Sequence, residues 1–163
     1  MPGGDGATEA ADGEFLKPRR PQAILFACSF NAIRSPMAEA IGRHLFGREI
    51  HFQSVGLRAG ELDPFAVAAM DEIGIDISKH KTHSFDDLED TSFDLIVTLS
   101  PEAHHRALEF TRTMAIDVVY WPTIDPTAAQ GSRDQMLQAY RAVRDSLEKR
   151  IKELLDWHAF GKL

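Results

Sequence analysis

One stretch of this chain carries, in a usable order, the residue types that nucleophilic chemistry on an oxyanion needs. Cys28-Ser29-Phe30-Asn31-Ala32-Ile33-Arg34-Ser35 sets the single cysteine of the chain ahead of an arginine, with five residues between them. A short apolar run, Ala23-Ile24-Leu25-Phe26-Ala27, comes before it. Ser35-Pro36 comes after, and reads as a capping residue with proline at the first helical position. A loop between a strand and a helix start suits anions, because unpaired N–H groups point outward there and the helix dipole adds partial positive charge. Arg34 can fork two donors onto a tetrahedral oxyanion. A cysteine on such a loop is expected to have a lowered pKa, and a thiolate facing an arginine-held phosphate is arranged to attack phosphorus. Taken singly, a cysteine at a strand end can simply pack and Arg34-Ser35 can be a solvated helix start. The placement between strand and helix is what favours chemistry.

Several elements must position that loop. The continuous apolar run before Cys28 predicts a strand buried on both faces. Met37, Ile41, Leu45 and Phe46 keep helical spacing up to Gly47, and a weaker strand covers Ile50 to Val55. Pro64 opens a second helix that ends at Gly74. Phe93 to Leu99 predicts a third strand, Ser100-Pro101 another helix start, and Ala115 to Trp121 a fourth strand. Ser132 with Gln135 forms a capping-box pattern before a long helix, whose apolar face carries Met136, Leu137, Tyr140, Val143, Leu147, Ile151, Leu154 and Leu155. This alternation predicts an α/β three-layer sandwich: a four-stranded parallel sheet with helices on both faces. Ligands bind beyond the carboxyl ends of such strands, which points to Cys28–Arg34, Ser100 and Pro122–Thr127.

Composition bounds the rest. The chain has 163 residues, and its first twenty, rich in Gly, Ala, Asp and Glu, predict a disordered leader at 1–20 before a single domain at 21–163. With 25 acidic against 18 basic residues and a net charge of −7, no nucleic-acid partner is expected. No apolar run reaches the roughly 20 residues of a membrane span, and no secretory signal is evident. The expectation is a cytoplasmic protein without membrane association, monomeric or weakly dimeric. One cysteine excludes an internal disulfide. No metal and no cofactor are expected: His104 and His105 are adjacent and cannot converge on one ion, and His80 and His83 have no evident carboxylate or thiol partner.

The run from Ile24 to Ala40, with Cys28, Asn31, Arg34, Ser35 and then Pro36-Met37-Ala38-Glu39-Ala40, resembles the low-molecular-weight protein tyrosine phosphatases. That family shares its fold with the thioredoxin-linked arsenate reductases, and the order of elements matches it from about Gln22 to Leu155. The resemblance implies the phosphotyrosine phosphatase I-like fold and a hydrolase that attacks phosphomonoesters through a phosphocysteine. Cys28 would be the nucleophile, Arg34 the oxyanion clamp and Asp125, in Asp125-Pro126, the general acid. Ser29, Phe30, Asn31, Ala32, Ile33 and Ser35 would form the phosphate loop, with Ser54 and His80 in support. A second pair, Asp63-Pro64, is read as a turn without catalytic role, since of the two only Asp125 is expected on the ligand side.

The chain also departs from the family. Phe30 stands where glycine is usual, and would either wall the pocket or distort the loop. Ile33 replaces a common second cysteine, so an oxidised Cys28 has no neighbouring thiol. Thr127-Ala128 replaces aromatic residues, and the segment Gly56–Asp63 is short. The implied substrate is a phosphorylated protein or a small aryl phosphate. Two alternatives remain: arsenate reduction by an external thiol, because one cysteine cannot run an internal relay, and an oxyanion-binding module with little turnover.

Overall fold

The computed structural model describes residues 20–89 and 92–160, so the expected leader lies outside the described residues except for Arg20. Pro21–Ile151 forms one compact unit and contains the whole sheet. Its strands are β1 (Ala23–Cys28), β2 (His51–Gly56), β3 (Leu95–Thr98) and β4 (Asp117–Tyr120), parallel and in the order β2-β1-β3-β4. The helices are α1 (Arg34–Phe46), α2 (Pro64–Asp71), α3 (Pro101–Ala107) and α4 (Arg133–Phe160). Each predicted element is present, with ends shifted by a residue or a few. Among the described residues, no helix is long and apolar enough to cross a membrane.

Strand β1 is central, and every residue from Ile24 to Cys28 is buried, which is why its sequence is a continuous apolar run rather than an alternation. One core cluster joins Leu25, Ala27, Val55 and Ile96 to Phe85, Phe93 and Ala103. Phe26 stacks on Phe52 at 6.2 Å between ring centres and lies 6.3 Å from the Trp121 ring. At the sheet edge, β4 alternates exposed and half-buried residues, the pattern of a strand with one face toward water.

Helix ends obey local chemistry. The side chains of Asp63 and Ser100 accept the N–H groups of Phe65 and Ala103 at the starts of α2 and α3. The capping box before α4 forms in both directions, Ser132 N–H to Gln135 Oε1 and Gln135 N–H to Ser132 Oγ. Glu72, just past α2, accepts from Arg141 and Arg144 of α4, and those two bonds pull its carboxyl down to about 2. They tie the segment after β2 to the long helix.

The chain leaves β1 for β2 on one side and returns across it to β3 on the other. A crevice opens at the carboxyl ends of strands where the direction of winding reverses. The loop Cys28–Ile33 sits at that end of β1.

Candidate active site

Ser35 does not cap α1, as its sequence position had suggested. The helix begins one residue earlier at Arg34, and its N-cap, Ile33, offers no side-chain acceptor. The first amides of α1 therefore have no side chain folded over them, and the Ser35 hydroxyl is used elsewhere. It lies 2.9 Å from Cys28 Sγ and 3.2 Å from the Val55 carbonyl, and receives a hydrogen bond from Asn31 Nδ2 at 2.8 Å. With its lone pair engaged by Asn31, the hydroxyl has one proton for two acceptors. It can serve Val55 while Cys28 is a thiol and turn to the sulfur when Cys28 is a thiolate.

Asn31 organises the loop from beneath. It is fully buried, and among the described residues it is the one non-glycine with positive φ, at 56°. Asparagine tolerates this left-handed conformation better than most residues. Its Oδ1 accepts the His83 N–H at 2.8 Å, and because a backbone N–H can only donate, that contact fixes the orientation of the amide. Nδ2 then donates to Ser35 and, at 2.9 Å, to Ser54. His80 Nε2, 3.0 Å from Oδ1, must be its protonated nitrogen. The Ser54 hydroxyl in turn donates to Glu39, which pairs with Arg43 at 2.8 Å. Burial pushes the His80 imidazole pKa down; Glu39 opposes that shift, while His83 and Arg43 reinforce it. Asn31 and Ser35 of the loop and the two residues expected in support, Ser54 and His80, thus form one connected network that ends at the sulfur.

Glycine in β2 makes the network possible. A Cβ on Gly56 would lie 2.6 Å from Asn31 N and 2.6 Å from the Phe30 carbonyl carbon, so nothing larger fits there. The segment after Gly56 runs beside the loop, with Leu57, Arg58 and Gly60 N–H groups bonded to the carbonyls of Cys28, Ser29 and Phe30. Phe30 itself has no positive φ. The strained torsion falls on Asn31, which removes the reason to expect Phe30 to distort the loop.

A cleft of about 420 Å³ opens above the loop, lined by Cys28, Phe30, Ala32, Ile33, Arg34 and Asp125, among others. Cys28 is only 2% exposed and is reached through this cleft. The Arg34 guanidinium is buried and held by an Nη1 bond of 3.0 Å to the Thr123 carbonyl, on the same loop as Asp125. Partial burial pushes the Asp125 carboxyl up, but hydrogen bonds from the Thr127 N–H (3.0 Å) and hydroxyl (2.8 Å), together with Arg34, hold it below its ordinary range. At neutral pH it is a carboxylate. Ser29 turns out of the cleft, its hydroxyl donating to Ser100 at 3.2 Å.

Two expectations need correcting. Ser100 does not line the cleft; its side chain serves α3 and Ser29. The segment after β2 lines it instead, through Gly60, Glu61, Leu62, Asp63 and Pro64. Asp63 is therefore on the ligand side after all. Its N–H bonds the Ala32 carbonyl, and its Oδ2 accepts the Tyr140 hydroxyl at 2.8 Å. Burial, and then the Asp63 hydrogen bond, push the Tyr140 pKa up, so that phenol stays a donor. The signal for Asp63 was available: in an all-parallel sheet the loop after β2 leaves from the same edge as the loop after β1. Among the described residues, no three His, Cys, Asp or Glu side chains gather as a metal site would require.

Known proteins resemble this chain in sequence and in fold. Residues 23–162 fit the model of the low molecular weight phosphotyrosine protein phosphatase family. The chain belongs to that family. The phosphatase-family chain is 38% identical over 130 residues to an arsenate reductase of Halalkalibacterium halodurans, covering 79% of this chain and 91% of that one. Its fold superposes with a TM-score of 0.66 on an arsenate reductase in its phosphate-binding state, at 27% identity and over 83% and 97% of the two chains. With the YwlE arginine phosphatase, in a form with a phosphorylated active-site serine, the score is 0.67 at 26% identity over 83% and 94%.

Proposed function

We propose that this chain is a cysteine-dependent phosphomonoester hydrolase. The observation that carries the reading is that Cys28, Arg34 and Asp125 line one cleft. In the proposed reaction, the Cys28 thiolate attacks phosphorus in line with the ester oxygen. Arg34 and the amides at the start of α1 hold the three equatorial oxygens as charge builds on them. The P–O ester bond breaks and Asp125 gives its proton to the leaving oxygen. Water then attacks the phosphocysteine with Asp125 as base, the P–S bond breaks, and inorganic phosphate leaves. Asp125 must be protonated for the first half. A bound phosphate dianion beside it supplies the like charge that raises a carboxyl, against the pull of Thr127.

A second reading is arsenate reduction, favoured by the name of the relative from H. halodurans. With one cysteine in the chain, the electrons would have to come from an external thiol attacking the Cys28–arsenate adduct. Parallel assays separate the two: release of 4-nitrophenol from its phosphate ester, and arsenite formation from arsenate with a small thiol. Phosphoarginine belongs in the same panel because of the kinship with YwlE. Ester hydrolysis that is lost in Cys28→Ser supports the hydrolase. Arsenite formation without ester hydrolysis would replace it with the reductase.

A further inference from the structure

We propose that Phe30, a residue of the phosphate loop itself, is the wall against which the organic group of the substrate packs, and that it selects aryl over alkyl phosphates. This rests on the hydrolase reading for its chemistry but not for its test. Three observations carry it. Phe30 is 52% exposed, yet it lines the same cleft as Cys28, Arg34 and Asp125. Phe26, Phe52, Phe65, Phe85, Phe93 and Phe110 each have an aromatic partner, whereas Phe30 has none among the described residues. Its backbone and Cβ are nevertheless held in place. The Phe30 carbonyl accepts the Gly60 N–H at 2.9 Å, and a Cβ on Gly60 would stand only 3.2 Å from the Phe30 Cβ. Gly60 leaves room for the base of the ring and pins the backbone beneath it.

The other loop side chains leave this task to Phe30. Ser29 turns toward Ser100, Asn31 is buried in the network, Ala32 is small, and Ile33 is buried at 8% exposure. Among the residues that line the cleft, Phe30 is the one aromatic; Ile33, Leu62 and Pro64 add apolar surface, and Arg34, Glu61, Asp63, Asp125 and Thr127 the polar surface. An aromatic ring with an unstacked face beside an oxyanion cradle suits an aryl group, since paired rings gain attraction beyond the area they bury.

Calorimetric binding of phenylphosphonate and methylphosphonate, which carry the anion but no ester to hydrolyse, tests this on the full chain. The expected result is a preference of about tenfold for phenyl in the parent protein. That ratio should fall several-fold in Phe30→Ala and be kept in Phe30→Trp. A parent protein with no preference overturns the proposal, as does a Phe30→Ala variant that keeps the ratio. Because binding needs no turnover, a Phe30-dependent ratio in a chain that hydrolyses nothing would leave this inference standing and remove the hydrolase reading.

Discussion

Replacing Asn31 tests the idea that one buried amide holds the loop in shape. Its side chain makes four hydrogen bonds, to Ser35, Ser54, His80 and the His83 N–H. At roughly 1 kcal/mol net for each, and about 1 kcal/mol more for placing alanine in a left-handed conformation, Asn31→Ala should cost about 3–5 kcal/mol after partial relaxation. Domains are commonly stable by about 5–15 kcal/mol, so the variant should fold but with little margin. Asn31→Asp separates shape from chemistry. It keeps the size, suits the torsion and still accepts from His83 and His80. However, it sets a carboxylate against Ser54 and Glu39 and draws the Ser35 proton away from the sulfur. Urea denaturation should show the large loss for alanine and a smaller one for aspartate. Alkylation by iodoacetamide, which in this chain reads a single thiol, should slow markedly in Asn31→Asp at pH 7. A loss below about 1 kcal/mol for alanine, with alkylation in Asn31→Asp as fast as in the parent, would refute the network argument.

Other outcomes follow from the same geometry. His80 has a folded-state pKa below its unfolded one, so the unfolded chain binds the proton more readily; its contribution to stability is complete above about pH 6.5 and is lost as pH falls below that. Melting temperature should therefore drop between pH 7 and 5 in the parent and less steeply in His80→Gln; equal slopes would contradict this. Thr127→Val removes a hydrogen bond to the ionised form of Asp125, which raises its pKa. Since the acid must be protonated, the alkaline limb of kcat/KM for esters with poor leaving groups should move to higher pH, and an unmoved limb would argue against Asp125 as the acid. Gly56→Ala should cost about 1–3 kcal/mol from overpacking and depress turnover, whereas wild-type stability and rate would mean the loop is softer than its contacts suggest.

The fold was largely legible in the chain because its signals are local and strong. The buried run Ile24–Cys28, the Ser100-Pro101 start of α3 and the Ser132/Gln135 capping box all lie where sequence reading puts them. The network joining Asn31, Ser35, Ser54 and His80 follows from family resemblance; spacing alone does not indicate it, because its members come from three separate segments. Sequence reading went astray where a residue had two possible employers. Ser35 looks like a cap by position, although the resemblance places it in the loop network, and its hydroxyl is taken by Cys28, Asn31 and Val55. Asp63 looks like a plain turn residue, and it does cap α2, but the same turn also delivers it to the cleft. Phe30 was ambiguous because a sequence does not say which loop residue takes the positive φ; that residue is Asn31.

The central claim is that the Cys28 sulfur bonds covalently to phosphorus during turnover. Rapid quenching of the protein with 4-nitrophenyl phosphate, followed by mass spectrometry of the peptide containing Cys28, tests it directly. The expected result is one phosphoryl group on Cys28, appearing as fast as the first equivalent of 4-nitrophenol is released and absent in Cys28→Ser. Turnover without that adduct, undiminished in Cys28→Ser, would contradict it.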